Sequence, residues 1–134
     1  MGGEDLISRK KPKIYYLAHP YSPIDGSHLY SDAGRYQVEE NVKKSIEITN
    51  KLMDKGFLIF NPLTHSHRLD SEKNRKSQFW YDLDLLFLKK FDGIIMSPGW
   101  SKSRGCVKEL KEAINISRRR SDFEIHLDLE DFDL

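Results

Sequence analysis

Four short apolar runs, separated by segments of helix length, constrain this chain more than any other feature. They are KIYYLA (13–18), FLIFN (57–61), FDGIIMS (91–97) and EIHLDL (124–129). Short runs bounded by turn residues are the mark of strands buried within a sheet. The intervening segments carry a different period. Val38, Val42, Ile46, Thr49 and Met53 recur three or four residues apart, which predicts a helix from about 36 to 55, stopped by Gly56. FWYDLDLLFLKK (79–90) reads as a second helix, with Phe79, Leu83, Leu86 and Lys90 keeping helical spacing. A third covers 104–118, with Val107, Leu110, Ala113 or Ile114, and Ser117 on one side. The segments 19–34 and 62–78 are rich in Pro, Gly, Ser, Asp and Asn and are expected to be loops.

Strands alternating with helices give an α/β fold with a mostly parallel sheet and right-handed crossovers. The expected class is a three-layer sandwich around a sheet of four to five strands, Rossmann-like or flavodoxin-like. The 134 residues suit one domain, 13–134, preceded by a flexible leader at 1–12. Ligands of such sheets bind outside the carboxyl ends of the strands. Here that edge is built from HPYSP, NPLTHSH and SPGWSKSRG, the segments richest in His, Ser, Asn, Tyr and Trp.

Charge narrows the partner. Lys plus Arg is 22 and Asp plus Glu is 21, a formal net charge of +1, which argues for neither a nucleic-acid polymer nor a membrane surface. No run approaches the roughly 18 apolar residues of a membrane span. The single cysteine, Cys106, makes no internal disulfide and fits a reducing, cytoplasmic setting. There is no GxGxxG, GxxxxGK[ST] or GxSxG, so dinucleotide, P-loop and esterase readings lose their support, and no cofactor is expected.

Several residues at the ligand edge can carry chemistry. Ser103 and Gly105 open the last helix, whose first N–H groups attract an anion, with Arg104 beside them; equally, Ser103 is a helix cap and Gly105 a close-approach position. Glu109 is either an exposed glutamate or a carboxylate over the strand ends. Asp84, inside LDLLFL, faces solvent or a polar pocket, because a lone acid among leucines is not buried without cause. Asp92 reads as a helix terminator. His19, His65 and His67 sit in the edge loops, where a metal site is the lesser reading and hydroxyl or phosphate contact the greater. Tyr21, Trp80, Tyr81 and Trp100 are candidates to stack on a planar ring.

Four segments together carry a resemblance: KIYYLAHPYS (13–22), GFLIFNPLTHSH (56–67), DLLFLKKFDGIIMSPGW (84–100) and SRGCVKELKEA (103–113). Jointly they resemble the nucleoside 2-deoxyribosyltransferase-like family, including its nucleoside 5′-monophosphate N-glycosidase relatives. The last has the family's form of Ser or Asp, one residue, Gly, three residues, Glu. The resemblance implies that Glu109 is the nucleophile and that Asp84, with Asp92 as the alternative, positions the sugar or protonates the leaving base. It implies that Ser103, where nucleoside-transferring members tend to have aspartate, lies near a 5′-phosphate. Gly105 would keep the helix start open. The nucleotide-hydrolysing relatives bring glycines and an arginine after strand one. This chain has HPYSP, leaving His19, Tyr21, Ser22 and the more distant Arg35 to fill that role. Asn61, His65, Trp80, Gly99, Trp100 and Arg104 complete the expected binding set. The activity implied is cleavage of an N-glycosidic bond in a nucleoside monophosphate by a homodimer. Transfer of deoxyribose between bases and nucleotide binding without catalysis are the alternatives.

Overall fold

The computed structural model describes residues 12–23, 31–72 and 75–134. The expected leader therefore lies outside the described residues apart from Pro12, as does 24–30 of the first loop. The elements are β1 (Ile14–Ala18), α1 (Asp32–Asp54), β2 (Leu58–Phe60), α2 (Leu63–Glu72), α3 (Ser77–Leu88), β3 (Gly93–Met96), α4 (Arg104–Arg119) and β4 (Glu124–His126). Single 3₁₀ turns lie at Trp100–Lys102 and Leu129–Phe132.

All four strands are parallel, in the order β2-β1-β3-β4. This is the flavodoxin-like arrangement, and its switch point falls between β1 and β3. The chain leaves β1 toward β2 on one side and returns past β1 to β3 on the other, so its right-handed crossovers lie on opposite faces. The result is a three-layer α/β sandwich.

Strand pleating divides the core in two. Tyr16, Ala18, Ile94 and Met96 project to one face, where they pack with Leu88 of α3 and with Cys106, Ala113 and Ile116 of α4. Tyr15, Leu17, Ile59 and Ile95 project to the other, against Leu52 of α1 and Phe132 of the C-terminal turn. Because both faces are covered, β1 and β3 read in sequence as unbroken apolar runs.

α1 begins four residues before its predicted start. Ser31 caps it, accepting from the Gly34 N–H at 3.0 Å. Its end is a Schellman turn: Phe57 N–H reaches Leu52 O, Gly56 N–H reaches Met53 O, and Gly56 takes a left-handed φ of 96°. Its buried stripe differs from the predicted one. Val38, Val42 and Thr49 are buried, but Ile46 and Met53 are exposed, and Asn41, Ser45 and Leu52 are buried instead. The hydroxyls survive burial because they are bonded. Ser45 Oγ donates to Val42 O and Thr49 Oγ1 to Ser45 O, at 2.7 and 2.8 Å. α3 shows a similar correction. Phe79 and Leu86 are exposed, whereas Asp84 and Leu88 are the buried positions.

The largest correction is the segment 62–78, expected as loop, most of which is helical. Asn61 Oδ1 accepts from Leu63 N–H at 3.0 Å, and Pro62 leads directly into the first turn. Asn-Pro is therefore a helix start here, with the side chain as cap and a proline whose missing N–H costs nothing.

No helix among the described residues is long and apolar enough to cross a membrane.

Gly93 sets the spacing of the sheet at the start of β3. A Cβ there would stand 2.8 Å from Glu124 O and 2.9 Å from Tyr15 Cδ1. The backbone oxygen cannot rotate away, so Gly93→Ala must move β4. Urea denaturation is expected to show a loss of about 1–3 kcal/mol, the usual cost of overpacking; an unchanged midpoint would show that β4 yields freely.

Candidate functional site

The carboxyl ends of β1 and β3 open into a cleft of about 670 Å³. Its floor comes from β1, where His19 follows the strand and is 8% exposed. One wall is the start of α4, with Ser103, Arg104, Gly105 and Glu109; another is α3, with Trp80, Tyr81 and Asp84; α2 and the residues after it close the third with Leu63, Ser66, Asp70 and Arg75. Tyr21, Ser22 and Pro23 form the rim from the first loop.

Glu109 is 7% exposed and Asp84 8%. Burial of carboxyls this complete opposes ionisation. It pushes Glu109 up to about 8 and Asp84 up to about 7. The charge of Asp84 adds to the rise at Glu109, so the two titrate as a coupled pair. Tyr16 works the other way. Its hydroxyl, itself fully buried, donates to Glu109 Oε2. Burial and the neighbouring carboxyls hold the phenol well above its ordinary range, so it stays a donor. Asp84 Oδ1 is buried with no hydrogen-bond partner among the described residues. Glu109 thus has a built-in stabiliser of its anion, and Asp84 Oδ1 does not.

The α4 start supplies the opposite polarity. Ser103 caps the helix, accepting from Cys106 N–H at 3.2 Å, and its hydroxyl also bonds the Cys106 side chain, a weak partner that an anion could displace. Arg104 and Gly105 contribute N–H groups that no helical carbonyl can satisfy. Lys102 and Lys108 also line the cleft, and Lys108 Nζ lies 4.5 Å from the centre of the Tyr81 ring. No acidic residue occupies the first turn of α4. The N-terminal partial charge of this helix is reinforced rather than neutralised.

His19 Nδ1 lies 2.9 Å from Pro20 O. A carbonyl only accepts, so Nδ1 carries the hydrogen and Nε2 is left as an acceptor. Burial lowers the pKa of His19, which favours the neutral ring.

Of the residues singled out in sequence, the structure gathers Glu109, Asp84, His19, Tyr21, Ser22, Trp80, Ser103, Arg104 and Gly105 around one cleft. The others lie elsewhere. Arg35 is exposed on α1 and is not among the cleft residues. Asn61 is a buried brace, its Nδ2 donating to Ser45 Oγ and Thr49 Oγ1 at 3.0 Å each while its Oδ1 caps α2. His65 stands behind Asp84 rather than in the cleft, with Nε2 3.8 Å from Asp84 Oδ1. Gly99 makes a left-handed turn at φ 88°, and Trp100 packs against the core. Asp92 is at the opposite edge of the sheet, accepting from Ile14 N–H at 2.8 Å, so it takes no part in the cleft. The three histidines do not converge. The ring nitrogens of His67 face Tyr21 Oη and Glu39 Oε1 at 3.0 and 2.7 Å. No group of three metal-ligating side chains forms among the described residues.

Ser66, Asp70 and Arg75 were not anticipated, because their segment was read as loop. Asp70 Oδ1 accepts from Trp80 Nε1 at 3.1 Å and from Arg75 N–H at 2.7 Å, tying that wall to α3. The signal available was Asn-Pro before a run with Leu63, Ser66 and Asp70 at helical spacing.

A family model described as a domain of unknown function, DUF1937, matches residues 13–124, which takes in β1 to β3, the first residue of β4 and every wall of the cleft. No curated protein matches the chain.

A raised carboxyl pKa makes folding costly at high pH. Between the unfolded values near 4 and the raised folded values, the folded chain holds protons that the unfolded chain has released, so stability falls as pH climbs. Chemical denaturation of wild type is expected to lose stability from pH 5 to pH 9. Glu109→Gln, which still accepts from Tyr16, should flatten that slope and be the more stable protein at pH 9, by on the order of 2 kcal/mol. Parallel slopes for the two proteins would contradict a buried, proton-holding Glu109.

Proposed function

The chain belongs to this DUF1937 family, whose description assigns no activity, and from its cleft we propose that it hydrolyses the N-glycosidic bond of a nucleoside 5′-monophosphate. The observation that carries the reading is the pairing of Glu109 and Asp84, two buried carboxyls with raised pKa values in one cleft, facing an anion-receptive helix start. The resemblance noted in the sequence supports the same pair.

Glu109 attacks C1′ of the sugar. The C1′–N bond breaks, its electron pair leaves with the base, and Asp84 supplies the proton that the base takes up. The oxocarbenium-like transition state develops positive charge against the Glu109 carboxylate, and a glycosyl ester of Glu109 results. Asp84, now ionised, takes a proton from water as that water attacks C1′ and frees Glu109. Burial raises Glu109 further than Asp84, so the productive form, with Asp84 protonated for the acid role and Glu109 ionised and bonded by the buried phenol for the nucleophilic role, is the minor one of the two singly protonated forms.

The 5′-phosphate lies at the α4 start, receiving the Ser103 O–H and the N–H groups of Arg104 and Gly105. Trp80 and Tyr81 offer faces to the base. The resemblance also makes a paired homodimer part of this proposal, and the single cysteine a reducing, cytoplasmic setting.

Purified protein given a panel of nucleosides and 5′-monophosphates is expected to release free base from a monophosphate. Glu109→Gln should abolish release, and Ser103→Asp should lower kcat/KM for the monophosphate at least tenfold by placing like charge beside it. No release from any of the panel would refute hydrolysis, and full activity in Glu109→Gln would remove the nucleophile.

The pH profile of kcat/KM should be bell-shaped with its maximum between about 7 and 8. One limb requires an ionised carboxyl, the other a protonated one, and both apparent values belong to the pair. A profile flat from pH 6 to 9 would exclude acid–base work by these two groups.

A further inference from the structure

The pair His65 and Asp84 has an unusual bonding state. Asp84 Oδ1 and His65 Nε2 are both buried, neither has a hydrogen-bond partner among the described residues, and they face each other at 3.8 Å. Two buried polar atoms left unpaired at such close range are costly in a static structure. The cost is relieved if one charge state of the pair closes the gap. A protonated Asp84 has little pull on an N–H across 3.8 Å, whereas an ionised Asp84 has a strong one, and charge-assisted bonds of this type shorten to below 3 Å.

The surroundings leave His65 as the group able to respond. Among the described residues, the charge of Asp84 reaches Tyr16 from β1, Tyr81 from its own α3 and Glu109 from α4, and His65 from α2 stands 3.8 Å from it. Glu109 repels the anion. The Tyr16 hydroxyl is committed to Glu109. The Tyr81 hydroxyl is packed against Gly105, where a Cβ would stand 2.7 Å from it. His65 is steered by an aromatic surround of Phe60, Phe87 and Trp80, with ring centres 5.6, 6.0 and 6.4 Å away. These rings present no competing acceptor to Nε2.

We propose that His65 is a positioning residue for Asp84: its Nε2–H closes onto Asp84 Oδ1 when that carboxylate forms and opens when it is reprotonated. The inference rests on the proposed hydrolysis for its place in the reaction, though the contact itself does not. Asp84 alternates between acid and base, and the intermediate between those roles is the one in which its buried anion needs a donor. His65 supplies that donor without entering the cleft, and burial lowers its own pKa, keeping it neutral so that it adds no charge.

The test begins with the contact. The ¹³C carboxyl signal of Asp84 is titrated in wild type, His65→Phe and His65→Gln; glutamine places a donor near the Nε2 position and phenylalanine none. Asp84 should titrate about one pH unit higher in His65→Phe and return to the wild-type value in His65→Gln. Identical titration in all three overturns the proposal, whether or not any base is released. If base release is observed, His65→Phe should lower kcat/KM about tenfold and move the alkaline limb of its profile upward, with His65→Gln restoring both. A shifted Asp84 titration with a wild-type rate profile in His65→Phe overturns the positioning role. Absence of base release from wild type refutes the hydrolysis alone, since the carboxyl titration still decides the contact.

Discussion

The hydrogen bond from Tyr16 to Glu109 joins the centre of the sheet to the helix that covers it. Tyr16 belongs to β1, which lies between β2 and β3, and Glu109 lies near the start of α4. A fully buried phenol needs a partner, and a buried carboxyl needs a donor; each supplies what the other lacks. The remaining site follows from this contact. It draws the first turns of α4 down over the strand ends, which sets Ser103 and Gly105 at the mouth of the cleft. The same dryness that makes the contact strong keeps Glu109 and Asp84 from ionising freely.

The topology explains why these groups meet. β1 and β3 are neighbours, yet the helices after them lie on opposite faces of the sheet. A gap at their carboxyl ends is unavoidable, since no single helix covers both. Into it the chain places the polar ends of three segments, from the first loop, α2 with α3, and the α4 start. Each wall has its own support. Asn61 braces α2 to α1 through Ser45 and Thr49, Asp70 binds Trp80, and Ser103 caps α4.

Much of the fold was legible because buried parallel strands leave unbroken apolar runs. β1 and β3 were found within a few residues, and α4 within one. The failures share a physical cause. The buried stripe of α1 contains Asn41, Ser45 and Thr49, whose polar atoms are satisfied partly within the helix and partly by Tyr21 O and Asn61, distant in sequence, so hydrophobic spacing favoured Ile46 and Met53 wrongly. α2 was missed because Asn-Pro was read as the end of a strand, though it is equally a capped helix start. Of the site, Glu109 and Asp84 could not be told from ordinary acids by residue pattern; only resemblance singled them out. Their burial depends on Tyr16, His65 and two helices that no local window contains. Arg35 and Asn61 were attractive as polar residues near the right edge, but one faces outward and the other is consumed in bracing.

The wall from Asn61 to Arg75 differs in kind from the rest of the cleft. It contributes neither carboxyl and no part of the α4 start, and it is braced by the Asn61 cluster at its base and the Asp70–Trp80 bond toward its far end. It nonetheless carries His65, whose ring stands 3.8 Å from Asp84. A change at Leu63, Ser66 or Arg75 reshapes the cleft, whereas a change at His65 reaches the carboxyl itself. One short segment thus holds both the contour of the cleft and the back of one of its acids.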